Sequence, residues 1–107
     1  MKQPLAKFHI GQVVEHKLFH YRGVIIDVDA TFLLTEEWYE LMAKSRPPKD
    51  KPWYSVLVHN SNHFTYVAEQ NLEPDKEGGP IKHPDIWNHF SGFDRGVYQL
   101  RKELKFN

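Results

Sequence analysis

Two β-rich runs separated by a short polar stretch occupy Gly11–Asp29, GQVVEHKLFHYRGVIIDVD. Gln12–His16 and Arg22–Asp29 are rich in β-branched residues, and Lys17–Tyr21 between them suits a turn. Val24, Ile25, Ile26 and Val28 place apolar residues on both faces of the second run, so it is expected as a central, buried strand. Gly23 inside that pattern marks a bulge, a close approach of another backbone, or a merely tolerated glycine. A second pair of alternating runs, Trp53–His59 and His63–Glu69, flanks Asn60, Ser61 and Asn62, whose side chains favour turns. Tyr54, Val56 and Val58 fall on one face of this hairpin and Trp53, Ser55 and Leu57 on the other. Asn71 and Leu72 begin a last short strand that would close the sheet.

The pattern changes period between the two hairpins. Thr35 is a good N-cap, Glu36 and Glu37 complement a helix N-terminus, and Trp38, Leu41 and Met42 recur at helical spacing. Pro47 and Pro48 end that helix, and Pro52 precedes the next strand. The expected fold is therefore mainly β: a small SH3-like barrel of four to five antiparallel strands with one inserted short helix.

After Pro74 the composition turns to DKEGGP, Asp75–Pro80, a polar linker. Pro84 suits a first helical turn, and Ile86, Trp87 and Phe90 recur at helical spacing before Ser91 and Gly92 stop it. Such a short helix needs a surface to pack on, and the barrel itself is preferred over a neighbouring subunit. From Val97 to Phe106 both periods fit, with helix favoured. The expected organisation is a barrel over residues 1–74 and a helical extension over 75–107 packed on it, one structural domain in all.

Composition narrows the function classes. With 107 residues, 40% hydrophobic and 26% charged, the chain has material for one core and a soluble surface. Zero cysteines exclude disulfides, thiol catalysis and cysteine-ligated zinc, and suit a reducing, cytoplasmic setting. No apolar run approaches the roughly 20 residues that cross a bilayer, so no membrane partner is expected. The 14 basic and 14 acidic residues cancel, unlike the basic excess usual in proteins that bind duplex DNA by neutralising phosphates.

Catalytic and metal signatures are weak. The seven histidines include His16 and His20 across a turn and His59 and His63 across a hairpin loop, yet no third ligand is identifiable and no metal or other cofactor is expected. Asp27 and Asp29 share one side of a strand and could form a carboxylate pair, although a strand end facing water explains them as well. No nucleophile motif or Gly-rich phosphate loop is present, so the expectation is a protein that is not an enzyme.

Four separated segments, FHIGQVVEH at Phe8–His16, the Tyr21–Asp29 strand with Gly23, PWY at Pro52–Tyr54 and TYVAEQNL at Thr65–Leu72, occur in the order that resembles the YccV-like hemimethylated-DNA-binding domain family. The bacterial heat shock protein HspQ is a member. The resemblance implies a small β-barrel that binds hemimethylated double-stranded DNA, with oligomerisation and a link to the Lon protease in HspQ-like members. The same domain ends a eukaryotic F-box protein, where it looks like a protein-binding part of a ubiquitin ligase subunit. The segment Ile81–Tyr98 resembles that branch more than HspQ.

Two functions follow as expectations. A DNA-binding module would use Lys17, His20 and Arg22 around the first turn, with Lys44, Arg46, Lys49 and Lys51 on phosphates and Tyr21 beside an N6-methyl group. A protein-interaction module, an adaptor or modulator of a protease or another degradation machine, would expose an aromatic patch built from Trp38, Trp53, Trp87 and Phe93. Such a patch would also serve a homo-oligomer.

Overall fold

The computed structural model describes residues 5–101. Five strands form one antiparallel sheet: β1 (Val13–His16), β2 (Arg22–Asp29), β3 (Trp53–Val58), β4 (Phe64–Ala68) and β5 (Leu72–Pro74). A short helix, α1 (Glu36–Met42), is inserted between β2 and β3, and a single 3-10 turn, Glu69–Asn71, joins β4 to β5. No described helix is long and apolar enough to cross a membrane.

The strand order is β4-β3-β2-β1-β5, so β4 and β5 are the two edges. No ladder joins them, and the expected closed barrel is in fact an open, curled sheet. The reason is local. The 3-10 turn carries the chain directly from β4 across to β1, where Val14, Glu15 and His16 pair with Pro74, Glu73 and Leu72, leaving the outer side of β4 without a neighbouring strand.

Gly23 is a close-approach position. A Cβ there would run into Val56 Cγ1 and the Leu57 carbonyl, which no other residue tolerates. The bulge lies further on, between Ile25 and Asp27 in the β2–β3 register, where it bends β2.

Both faces of the sheet are covered, as the apolar runs require. Phe8, Val14, Ile25, Tyr54, Val56, Val67 and Leu72 form the central core on one face. On the other face Trp53 and Ala68 lie under Tyr39 and Ala43, while Val13, Val24 and Leu57 lie under Ile81, Ile86, Phe90 and Tyr98.

The inserted helix begins as its sequence indicates, with Thr35 Oγ1 accepting from the Trp38 N–H at 3.1 Å. Its seated face matches the expectation only at Trp38, which packs against the Trp53 cluster. Tyr39 and Ala43 are buried, whereas Leu41 and Met42 are exposed. Tyr39 sets the orientation, because its hydroxyl donates to the Pro47 carbonyl at 2.6 Å and ties the helix to its own return loop.

The C-terminal segment also departs from expectation. The helix α2 is confined to Ile86–His89; Phe90 then opens β6 (Phe90–Asp94), which pairs with β7 (Val97–Leu100). Arg95 and Gly96 both adopt positive φ, 53° and 81°, the combination a tight hairpin turn needs. The preferred helix over Val97–Phe106 is thus a strand to Leu100, and residues 102–107 lie outside those described. The hairpin is sewn to the sheet through Gly11, whose carbonyl accepts from Tyr98 N–H at 2.9 Å. Burial of Ile86 and Phe90, about 1.5–3 kcal/mol each, holds a helix too short to persist alone.

Candidate functional site

A groove of about 640 Å³ opens where the sheet fails to close. One wall is the β1–β2 turn with His16, Leu18, Phe19 and Tyr21, and the other is the end of α1 with Met42, Ala43, Lys44 and Ser45. Thr65 and Val67 line it from one face of β4 and Phe64 and Tyr66 from the other, so it runs along that strand's free edge. Phe19 is 72% exposed and Phe64 61%, an unusual outlay of aromatic surface for a domain this small.

The turn is held rigid by His16, whose Nδ1 accepts from the Leu18 and Phe19 N–H groups, each at 3.1 Å. His20 closes it with φ of 61°, and the Phe19 ring stacks on His16 with centroids 4.6 Å apart. Burial, then the neighbouring His20, pulls the His16 pKa below its usual range. Tyr21 crosses to β4, its hydroxyl 2.7 Å from Thr65 Oγ1, and burial raises its pKa.

Aromatic rings build the opposite side. Tyr66 stacks on Trp53 with centroids 5.2 Å apart, and Trp38 meets Tyr66 edge-on at 5.7 Å. The Tyr66 hydroxyl donates to Asp29 Oδ2 at 2.6 Å and accepts from Leu33 N–H at 3.2 Å. Burial and that carboxylate bond push its pKa up, so it stays a donor. Asp27 and Asp29 line the groove, and among the described residues neither forms an ion pair.

The structure gathers only part of the basic set. Lys17 and His20 are exposed on the turn, Tyr21 lines the groove, and Lys44 lines it from the far wall. Arg22 is withdrawn: its guanidinium is buried and donates to Asp75 Oδ1 at 2.7 Å and to the Gly79 carbonyl at 2.6 Å. The Asp75 bond raises the Arg22 pKa. Burial alone would raise the Asp75 pKa, but the bonds from Arg22 and Gly78 N–H outweigh it and lower it. Arg46 is 3.2 Å from Glu40. Lys49 pairs with Glu36 and sits 4.3 Å from the centre of the Tyr39 ring. Lys51 borders a separate hollow with Lys7 and Glu69.

The expected aromatic patch does not form. Trp53 is 1% exposed, with its indole N–H donating to the Pro48 carbonyl, because it is the platform on which the insertion rests. Trp38 lines the groove together with the buried Trp53. Trp87 is exposed and Phe93 packs 4.5 Å from Tyr98, both on the C-terminal hairpin. The sequence reading missed Leu18, Phe19, Phe64 and Tyr66 as groove residues. An apolar pair inside a predicted turn, Leu18–Phe19, was the available signal.

No group of three or more His, Asp or Glu side chains placed to hold a metal occurs among the described residues. An open antiparallel sheet with a rigid turn, an aromatic wall and an unpaired edge defines a small β binding domain. The chain belongs to the YccV-like family, described as hemimethylated DNA-binding protein YccV like, which it matches over residues 6–97. Among curated proteins it is 35% identical over 100 residues to F-box only protein 21 of Mus musculus, covering 92% of this chain and 16% of that protein. The proteins of the same name from Pongo abelii and Homo sapiens are each 34% identical over the same coverage. The chain thus spans 16% of the length of these relatives.

Proposed function

We propose that this domain is a non-enzymatic module that binds duplex DNA, with preference for the hemimethylated state. Membership of the YccV-like family carries this reading. Lys17 and His20 on the turn and Lys44 on the facing wall supply the phosphate contacts, and Tyr21 supplies the apolar surface beside an N6-methyl group. Because Arg22, Arg46 and Lys49 are engaged within the protein, few phosphates are neutralised. The salt dependence is accordingly shallow, with a logarithmic slope of about −2 to −3. Fluorescence anisotropy with unmethylated, hemimethylated and fully methylated GATC duplexes, at low and near-physiological salt, tests this. A hemimethyl preference that survives physiological salt supports it. Weak binding blind to methylation and lost with salt rules it out.

The exposed aromatics favour a second reading, a protein-interaction module acting as an adaptor or modulator of protein degradation in the cytoplasm. Zero net charge and similarity to proteins named as F-box proteins support it. If the groove instead serves self-association, light scattering across a concentration series will report an oligomer.

A further inference from the structure

The edge of β4 carries an unspent set of main-chain hydrogen bonds. In the β3–β4 ladder Val58 N–H donates to the His63 carbonyl and Glu69 N–H to the Pro52 carbonyl. Bonded pairs alternate in an antiparallel ladder, so with Val56 opposite Thr65 and Tyr54 opposite Val67, the backbones of Phe64 and Tyr66 point away from β3. Among the described residues no hydrogen bond reaches either backbone from that side. Both residues lie on the groove, and β4 itself carries neither a charged residue nor a proline of the kind that usually blunts an edge.

We propose that an extended segment of a protein partner docks here as an added strand beside β4, alternating apolar and basic side chains. This rests on the protein-interaction reading above. Side chains of an added strand alternate between the two faces of the sheet. On one side they would meet Leu18, Phe19 and Tyr21, an apolar wall. On the other they would meet Tyr66 and Trp38, and a long side chain would point along the groove toward Asp27 and Asp29, which line its inner part from β2 and have no cationic partner among the described residues. Ring faces and carboxylates both favour lysine or arginine. Among the described residues Lys44 is the one lysine or arginine lining the groove, at the end beside Ser45 and Asn71. Along the β4 edge itself Asp27 and Asp29 favour a basic peptide over a phosphate backbone, whereas the cations assigned to phosphates lie on the β1–β2 turn and at the Lys44 end of the groove.

The test uses a capped Lys-Val-Lys-Val-Lys-Val peptide, its Glu-for-Lys counterpart, and a version methylated on alternate backbone nitrogens, titrated into the whole, isotopically labelled chain. The Lys peptide should slow amide exchange at Phe64 and Tyr66. Backbone methylation should weaken binding about tenfold, from loss of two or so main-chain bonds. The Glu peptide should bind more weakly, and that preference should shrink in the D27N/D29N variant. Unchanged exchange at Phe64 and Tyr66, or indifference to backbone methylation, overturns strand addition. If the Lys peptide protects only other amides, this inference fails while the protein-interaction reading stands. If a GATC duplex rather than the peptide protects Phe64 and Tyr66, both give way to nucleic acid at this edge.

Discussion

Arg22 reaches across 53 residues of sequence to grip Asp75 with two hydrogen bonds, Nε to Oδ1 at 2.7 Å and Nη2 to Oδ2 at 3.2 Å. Both side chains are nearly buried, so Asp75 is the main counter-charge of Arg22, with the exposed Glu77 3.7 Å away. Asp75→Ala should destabilise the fold by about 2–4 kcal/mol, because it leaves a largely desolvated guanidinium with only the exposed Glu77 at 3.7 Å and the Gly79 carbonyl as partners. Replacing both with leucine should cost clearly less. Urea denaturation of the three proteins checks the order, and equal losses for the single and double variants would contradict it.

Stability should fall on mild acidification. His16 is neutral in the fold because Nδ1 must accept from Leu18 and Phe19, and its pKa is lowered by burial and by His20. His59, accepting from Lys82 N–H, is lowered by burial and then by Arg22. Below about pH 6.5 the unfolded chain binds more protons than the folded one, so stability is whole above that value and is lost as pH falls through the lowered folded pKa. Melting temperatures taken from pH 7.5 to 5 should decline, and His16→Asn, which keeps an acceptor but does not titrate, should flatten part of the slope.

Two glycines with the same backbone requirement should respond unequally to alanine. Gly11 has φ of 92° and would set its Cβ into the Tyr98 carbonyl; Gly78 has φ of 81° and nothing within 4 Å. Gly78→Ala should cost about 1–2 kcal/mol from the left-handed backbone alone. Gly11→Ala should cost more and loosen the C-terminal hairpin, seen as faster amide exchange at Tyr98.

For DNA binding, the burden falls on cations that form no ion pair among the described residues. Lys17→Ala with Lys44→Ala should reduce the logarithmic salt slope by about two. Arg46→Ala with Lys49→Ala should change it less, since both side chains are occupied by Glu40 and Glu36. Anisotropy titrations across salt decide between the pairs.

The two sheet hairpins were legible because alternation and turn residues are local signals. What the sequence hid was long-range. Whether a sheet closes depends on where β4 and β5 end up relative to each other, which no periodicity encodes. Arg22 looked like a free cation because its partner lies in a stretch that reads as linker. The face of α1 was misjudged because Tyr39 is fixed by a carbonyl beyond the helix, at Pro47. Over Val97–Leu100 two periods fit four residues equally, and pairing with β6 decided the matter. The groove was half visible: Tyr21, Lys44, Trp38 and Trp53 were singled out, while Phe64 and Tyr66 read as ordinary strand residues.

The cover supplied by Ile81, Ile86, Phe90 and Tyr98 over Val13, Val24 and Leu57 bears on how this unit travels between proteins. A fusion or excision made at the polar stretch after Pro74, where the sequence invites a cut, would strip one face of the sheet bare and deprive Arg22 of its carboxylate. Any larger protein that borrows the sheet must therefore inherit the hairpin with it.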